Sequence, residues 1–290
     1  MERKVLVTGA SGLLGLEICK QLADEFYVVA VDSGFRSHET PHCNEFIQQD
    51  VNTYVSYVTN DFDYIFHMGN INGTKYFYNI PNKLIENNIK SDFSIFKFAG
   101  LNPNCKLIYA SSSEVVAGTE KYPTPELNNI LIDDIHNPRW SYRLGKLVGE
   151  NYLTNSNLNY LIVRFFNIFG KYSSSGHFVK DIVDKIKDKD YRLIGANETR
   201  SFCHVEDAVD AVVKIKEVSN TIVNVGSNEE ISILEAANFI GKHLGIDNID
   251  WTFEQSVKGS VVRRKPDLTN LLKHYPQYSP KKFKDAIQDL

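Results

Sequence analysis

The sequence predicts an α/β fold, a doubly wound parallel sheet with a smaller α/β lobe towards the C-terminus. Three observations predict it. Over the first half, short β-branched runs alternate with amphipathic stretches, the pattern of βαβ units around a buried sheet. A turn with Gly9, Gly12 and Gly15 follows the first apolar run at once. After residue 168 the texture changes to Ser173-Ser174-Ser175-Gly176 and then to shorter elements. With 290 residues, 42% of them hydrophobic, the chain can bury a sizeable core as one large or two small domains.

Strands are expected near residues 4–8, 27–32, 45–48, 63–68, 105–110 and 159–165. Between the first two, Leu14, Ile18 and Leu22 recur every four residues while Glu17, Lys20 and Gln21 fall elsewhere, which marks a crossover helix. A second helix spans 82–98, with Ile85, Ile89, Phe93 and Phe96 on one side, and a third runs over 139–155. Residues 112–138 carry Pro123, Pro125 and Pro138 without a clear period, so they read as a long connection over the sheet, where loops often cover a site. Val205, Ala208, Val209, Val212 and Val213 are in phase for a helix at 204–218, followed by a strand at 221–225 and a helix at 232–244. The expected division is a first domain over 1–168, which the chain re-enters at about 203–226, and a lobe made of 169–202 and 227–290.

The 36 acidic and 32 basic side chains leave a formal charge of -4, so no global positive field gathers nucleic acid or anionic lipid. Cys19, Cys43, Cys105 and Cys203 are too few and too scattered for a disulfide scaffold or a paired zinc site. No metal is expected. Met1 leads straight into Val5-Leu6-Val7, and no apolar run approaches the roughly 18 residues of a spanning helix. Secretion and membrane insertion are disfavoured, and a reducing, cytoplasmic setting fits.

In the turn, Gly9 would permit a tight bend, Gly12 would let backbone amides approach a pyrophosphate, and Gly15 would let helix and strand pack closely. The helix N-terminus would then face phosphate with unpaired N–H groups. The plainer alternative is a helix start that needs small residues. Asp32 ends the second strand, where a carboxylate accepts both ribose hydroxyls of an adenosine and repels a 2′-phosphate, so NAD is favoured over NADP. Arg36 keeps NADP open, since it could pair that phosphate.

Tyr142 and Lys146 stand four apart on the helix at 139–155 and project from one face. A phenol of pKa about 10 needs a shift of about three units, roughly 4 kcal/mol, to serve as a base near neutrality, and a neighbouring ammonium can supply much of it. Tyrosine and lysine are common enough here that about one such pair arises by accident, and a second stands at Tyr278 and Lys282. Ser279-Pro280 between them looks like an N-cap with proline in the first turn, which would leave Tyr278 outside the helix carrying Lys282. Ser111-Ser112-Ser113-Glu114 ends the strand at 105–110 at the C-terminal edge of the sheet, the edge where ligands of such folds bind. Those serines could equally just turn the chain.

The order and spacing of Gly9/Gly12/Gly15, Asp32, the serine cluster and Tyr142/Lys146 resemble the extended short-chain dehydrogenase/reductase family, in its nucleotide-sugar epimerase/dehydratase branch. The resemblance covers nearly the whole chain. Gln49-Asp50-Val51, His67-Met68-Gly69-Asn70, Asn88, the run from Arg164 to Gly170, the run from Arg200 to Asp207 and the run from Arg263 to Asp267 look like further family blocks. It implies a Rossmann domain holding NAD at Gly9, Ser11, Gly12, Leu13, Leu14, Gly15, Asp32, Ser33, Asp50, Val51, Met68, Gly69, Asn70, Asn88, Phe165, Tyr142 and Lys146. Carried over, Tyr142 would be the catalytic base, Lys146 would hold the nicotinamide ribose and lower the phenol, and Ser112 or Ser113 would bond the reacting sugar oxygen. Asn167, Arg200 and Arg263 match positions that grip the nucleotide.

Four departures matter. Val116 stands where a tyrosine is usual, Gly145 where a serine often precedes the lysine, and Ser201 where an aspartate is frequent. Ser113-Glu114 replaces the acidic pair of the 4,6-dehydratases, which disfavours dehydration. Gly73-Thr74-Lys75-Tyr76-Phe77-Tyr78 with Pro81, and Asn137-Pro138-Arg139, look like a bacterial subgroup acting on surface-polysaccharide sugars, nucleotide-activated heptoses among them. The expectation is an NAD enzyme that oxidises C4 of a nucleotide-diphosphate sugar, as a 4-epimerase or 4-dehydrogenase. A UDP-uronate decarboxylase, an NADP-dependent 4-keto reductase and a non-catalytic dinucleotide sensor are the alternatives. By the same resemblance the partner is a second copy, as a homodimer or higher homo-oligomer through the helices at 82–98 and 139–155, with Phe93 or Phe96 contributing.

Overall fold

The computed structural model describes residues 2–34, 39–119, 121–132, 134–256 and 259–290. Arg36 lies outside them. Seven strands build the main sheet: β1 (Lys4–Thr8), β2 (Tyr27–Asp32), β3 (Glu45–Gln48), β4 (Tyr64–His67), β5 (Lys106–Ser112), β6 (Asn159–Phe165) and β7 (Thr221–Val225). All pair in parallel in the order β7-β6-β5-β4-β1-β2-β3. The sheet is therefore doubly wound, with its switch point between β1 and β4. A crevice opens at such a point because the connections leave in opposite directions.

Eight helices matter here: α1 (Leu13–Leu22), α2 (Val51–Tyr54), α3 (Thr74–Asn79), α4 (Pro81–Ala99), α5 (Trp140–Thr154), α6 (Phe178–Lys187), α7 (Val205–Lys214) and α8 (Ile233–His243). Strand alternation divides the core between the two faces of the sheet. Val5 and Val7 of β1 pack with Ile18, Leu22, Val209 and Val212 of α1 and α7. Leu6, between them, faces the other way and packs with Ile65, Leu107, Phe96 and Leu153, on the side of α4 and α5. A third apolar cluster gathers Phe169, Ile182, Ile186, Leu193, Phe202, Ile240, Trp251 and Phe283 under α6 and α8.

Every expected strand and helix is present. The differences lie at the ends and in the short pieces. The strand expected at 105–110 continues to Ser112, so two of the serines sit on the strand rather than in a turn. The helix expected at 204–218 stops at Lys214. Helices α3 and α6, the two-residue strands at 168–169, 199–200, 203–204, 231–232 and 263–264, and the parallel pair Arg192–Ile194 with Thr252–Glu254 had no counterpart in the sequence reading. They are too short for a period to register. Across 112–138 the described residues hold no helix, and Thr124 bridges to Pro266.

The second tyrosine–lysine pair resolves differently from the expected cap. The helix there is Phe283–Ala286 with Lys282 at its N-cap, so Ser279 and Pro280 precede it altogether. Tyr278 is buried and donates its hydroxyl to the Gly226 carbonyl at 2.9 Å, a structural role in the core. The four cysteines are free. No helix of the described residues is long and apolar enough to cross a membrane.

Candidate active site

The turn after β1 is tight because nothing larger than glycine fits. Gly9 has φ +66°, and a Cβ there would lie 2.6 Å from the Gly69 Cα. A Cβ on Gly15 would lie 2.2 Å from the Gly9 carbonyl oxygen. Gly12 is the N-cap of α1 and donates its N–H to the Gly9 carbonyl at 3.0 Å. Two backbone segments thus meet at the mouth of α1, whose first residues line a cavity of about 870 Å³. Asp32 ends β2 on the same cavity, its carboxylate accepting the Ser11 N–H at 3.0 Å and the Gly34 N–H at 3.2 Å. A glycine cradle that any side chain would fill, with a carboxylate at the end of the second strand, is a donor and acceptor set that fits an adenine dinucleotide.

The cavity collects most of the residues the sequence singled out. Leu13, Leu14, Ser33, Asp50, Val51, Met68, Gly69, Asn70, Asn88, Ser112, Ser113, Tyr142, Lys146, Phe165, Asn167 and Arg200 line it together with the turn glycines. Some face it in unexpected ways. Asp50 caps α2, accepting the Asn52 N–H at 2.9 Å. Asn88 accepts the Ile71 N–H at 2.8 Å and donates to the Ile71 carbonyl at 3.0 Å, so its amide holds the loop after β4. Asn167 donates to the Ser201 carbonyl at 3.0 Å.

Two expected contacts fall elsewhere. Ser11 is buried and does not line the cavity, because the turn points its side chain inward while its N–H is spent on Asp32. Arg263 faces a second cavity of about 250 Å³, lies 3.6 Å over the Tyr122 ring and pairs with both carboxylate oxygens of Glu230 at 2.9 Å. The reason is strand alternation: the pair 263–264 runs beside 199–200 with Arg264 opposite Arg200, so Arg264 shares its face and reaches the main cavity.

Tyr142 is 4% exposed and stacks on Phe77, with ring centroids 4.9 Å apart. Of the two candidate serines, Ser112 is the one that opposes the effect of burial on the phenol. Ser113 is tucked in, its N–H on the Phe165 carbonyl at 3.0 Å. Lys146, one turn on, is 3% exposed, donates to the Ala110 carbonyl at 2.6 Å and sits 4.5 Å from the Tyr109 ring centroid. Burial pulls this ammonium down from its ordinary value, while Asp92 and Glu150 hold it up.

The sequence argument had Lys146 lowering the phenol, whereas the surroundings of Tyr142 in the fold act in the other direction. Burial pushes Tyr142 up, Ser112 opposes that, and Glu114 and Asp92 push it further up. The ammonium is turned to the Ala110 carbonyl and answers to carboxylates on its other side.

A cluster of charge that the sequence did not single out as a unit forms one wall. Glu114 is 5% exposed; Arg139 Nε donates to it at 2.9 Å, Arg264 Nη1 lies at 2.6 Å and Arg143 Nη2 at 3.7 Å. Burial would raise its carboxyl, but Arg264 and Arg139 outweigh that and hold it well below the usual range. Arg264 keeps Nε and Nη2 without a hydrogen-bond partner. Arg200, paired with Glu198, adjoins it. Arg139, Arg200 and Arg264, three guanidiniums that line the cavity against Glu114 and Glu198, leave this wall cationic. Elsewhere His204, Glu206 and Asp289 come together, but Lys281 already pairs with both acids at 3.1 and 2.9 Å.

The family model for the NAD dependent epimerase/dehydratase family matches residues 5–226. A UDP-N-acetyl-alpha-D-glucosaminuronate decarboxylase from Bacillus cytotoxicus is 29% identical, the alignment covering 97% of this chain and 94% of that one. Among solved structures, the UDP-glucose 4-epimerase from Thermotoga maritima, determined with UDP-glucose, has a TM-score of 0.84 at 19% identity, over 98% of this chain and 96% of that one. A UDP-glucuronic acid 4-epimerase from Bacillus cereus, in complex with NAD and a fluorinated UDP-glucuronic acid, gives 0.84 at 22% identity, over 99% and 97%.

Proposed function

Since the chain belongs to the NAD dependent epimerase/dehydratase family, whose members are NAD-dependent enzymes, we propose that it oxidises C4 of a nucleotide-activated sugar. One observation carries this reading: the glycine turn with Asp32, the Ser112/Tyr142/Lys146 group and the cationic wall all line the same cavity. The turn, Asp32 and Lys146 would hold NAD, which supplies a hydride acceptor and a cationic ring at the reacting carbon. Tyr142 takes the proton of the C4 hydroxyl as the hydride leaves that carbon. Ser112, on the same cavity as the phenol, steadies the developing carbonyl oxygen. Lys146 has N–H groups beyond the one given to Ala110 and would hold the ribose with them. Arg200 and Arg264 face the diphosphate or another anionic group of the substrate, for which fixed, permanently charged forks are suited.

The ketone can be reduced again on its opposite face, which makes the enzyme a 4-epimerase, or leave as the 4-keto sugar. Decarboxylation of a nucleotide-uronate is a second reading, favoured by the unpartnered nitrogens of Arg264 beside Glu114 and by the Bacillus cytotoxicus relative. A C4 ketone makes the C6 carboxylate a β-keto acid, so the C5–C6 bond can break with release of carbon dioxide and its electron pair can pass to the ketone. The experiment is incubation of the purified protein and NAD with UDP, GDP, CDP and dTDP sugars and uronates, read by proton NMR. A C4 epimer, a 4-keto sugar or carbon dioxide identifies the outcome, and Tyr142→Phe abolishes it. Conversion that survives Tyr142→Phe, or none across the panel, overturns the proposal.

A further inference from the structure

Beneath Lys146 lies a buried carboxylate that the proposed reaction does not use. Asp92, on α4, is 1% exposed. Its Oδ1 accepts from His67 Nε2 at 2.9 Å and from Asn70 Nδ2 at 2.9 Å, and its Oδ2 accepts the Tyr109 hydroxyl at 2.6 Å. His67 Nδ1 is paired in turn with the Thr8 hydroxyl at 2.7 Å. Thr8 and Asn70 both line the main cavity. Tyr109 is the link to the lysine, since its ring underlies Lys146 Nζ at 4.5 Å while its hydroxyl is on Asp92.

We infer that Asp92 is a positioning residue that keeps Lys146 an ammonium in a dry site without occupying its donors. The role rests on the reading of Lys146 as the group that holds ribose beside the phenol. An ammonium out of water tends to shed its proton unless a negative charge answers it. A direct ion pair would answer it but would also take N–H groups that a ligand needs. Asp92 acts from the hydroxyl end of the Tyr109 ring and makes no hydrogen bond to the ammonium, so Lys146 gives one donor to Ala110 and keeps two.

The other charges around the lysine are already matched. Glu150, on the same helix, is gripped by Arg164 at 2.8 and 2.6 Å and takes the Ser111 hydroxyl. Glu114 is held by its arginines. Tyr142, His67 and Tyr109 complete the titratable groups packed here. Lys146 is the leading charge holding Asp92 down, and Asp92 is the leading charge holding Lys146 up.

The test is the titration of Lys146 in the protein without NAD, using [ε-13C]lysine, with the resonance assigned by Lys146→Met. In Asp92→Asn, and in the smaller Asp92→Thr, the deprotonation midpoint should fall by about one pH unit or more, a tenfold change in proton affinity. The alkaline limb of turnover should fall with it. An unchanged midpoint in either folded variant overturns the inference, as does a neutral Lys146 at pH 7 in the wild type, which needs no variant. A shifted midpoint with no nucleotide sugar converted sinks the proposed function and leaves the role of Asp92 standing.

Discussion

Glu114 is the residue whose removal should be felt most. Its carboxylate stands among Arg139, Arg143 and Arg264 with almost no water, so Glu114→Gln leaves buried cations facing one another. Breaking a buried pair from one side costs about 3–5 kcal/mol, and urea unfolding at pH 7 should show a loss of that order. The sign of the pH effect follows from its depressed carboxyl. The stabilisation is fully present above the ordinary glutamate value of about 4.3 and is lost as pH falls through the lower folded value. Wild-type stability should therefore drop more steeply than that of Glu114→Gln on acidification below about pH 4, and parallel curves would refute the assignment. At this scale the sequence was legible where a residue type carries its chemistry locally, as with Tyr142, Lys146 and Asp32, while the choice between Ser112 and Ser113 stayed open until the fold placed them. It misled where neighbours on a strand had to be told apart. Arg263 and Arg264 are chemically identical, and only the register with Thr199 and Arg200 decides which one faces the cavity.

At the scale of elements, the turn from β1 to α1 makes the sharpest prediction. The Cβ of Gly15→Ala would press on the backbone of Gly9 and Ala10, at 2.2 and 2.6 Å, atoms that no rotamer can move aside. Overpacking of this kind costs about 1–3 kcal/mol, and it should displace the amides that face the dinucleotide. Calorimetric titration should find NAD affinity at least tenfold weaker in Gly15→Ala, and retained affinity would mean that the dinucleotide binds elsewhere. The main-sheet strands and α1, α4, α5, α7 and α8 were legible because each repeats an apolar spacing over enough residues to declare its period. Helix α3 and the two-residue strands were not. They are held by partners distant in sequence, such as the Thr74 N–H on the Gly176 carbonyl at 3.0 Å, and a local pattern carries no sign of that.

For the whole molecule, the glycine turn, the loop after β4 and the helix α5 that carries Tyr142 and Lys146 meet only in the folded chain, so a dinucleotide that spans them should stabilise all of it. NAD at a hundred times its Kd adds about 2.7 kcal/mol, which for a chain of this size raises Tm by about 4–5 °C in a thermal-shift measurement. No rise, or an equal rise in Gly15→Ala, would count against the assignment of this cavity. The sequence by itself determined the parallel sheet, the glycine cradle, the acidic end of β2 and the tyrosine–lysine pair, because these follow from periodicity, from the size of a side chain and from spacing along one helix. Tertiary structure alone decided that Arg264 rather than Arg263 reaches the cavity, that burial raises Tyr142 where its neighbour was expected to lower it, and that Asp92 stands behind Lys146. Each of these depends on the distances between charges and on how much water reaches them, and those quantities exist only once segments far apart in the chain are packed together.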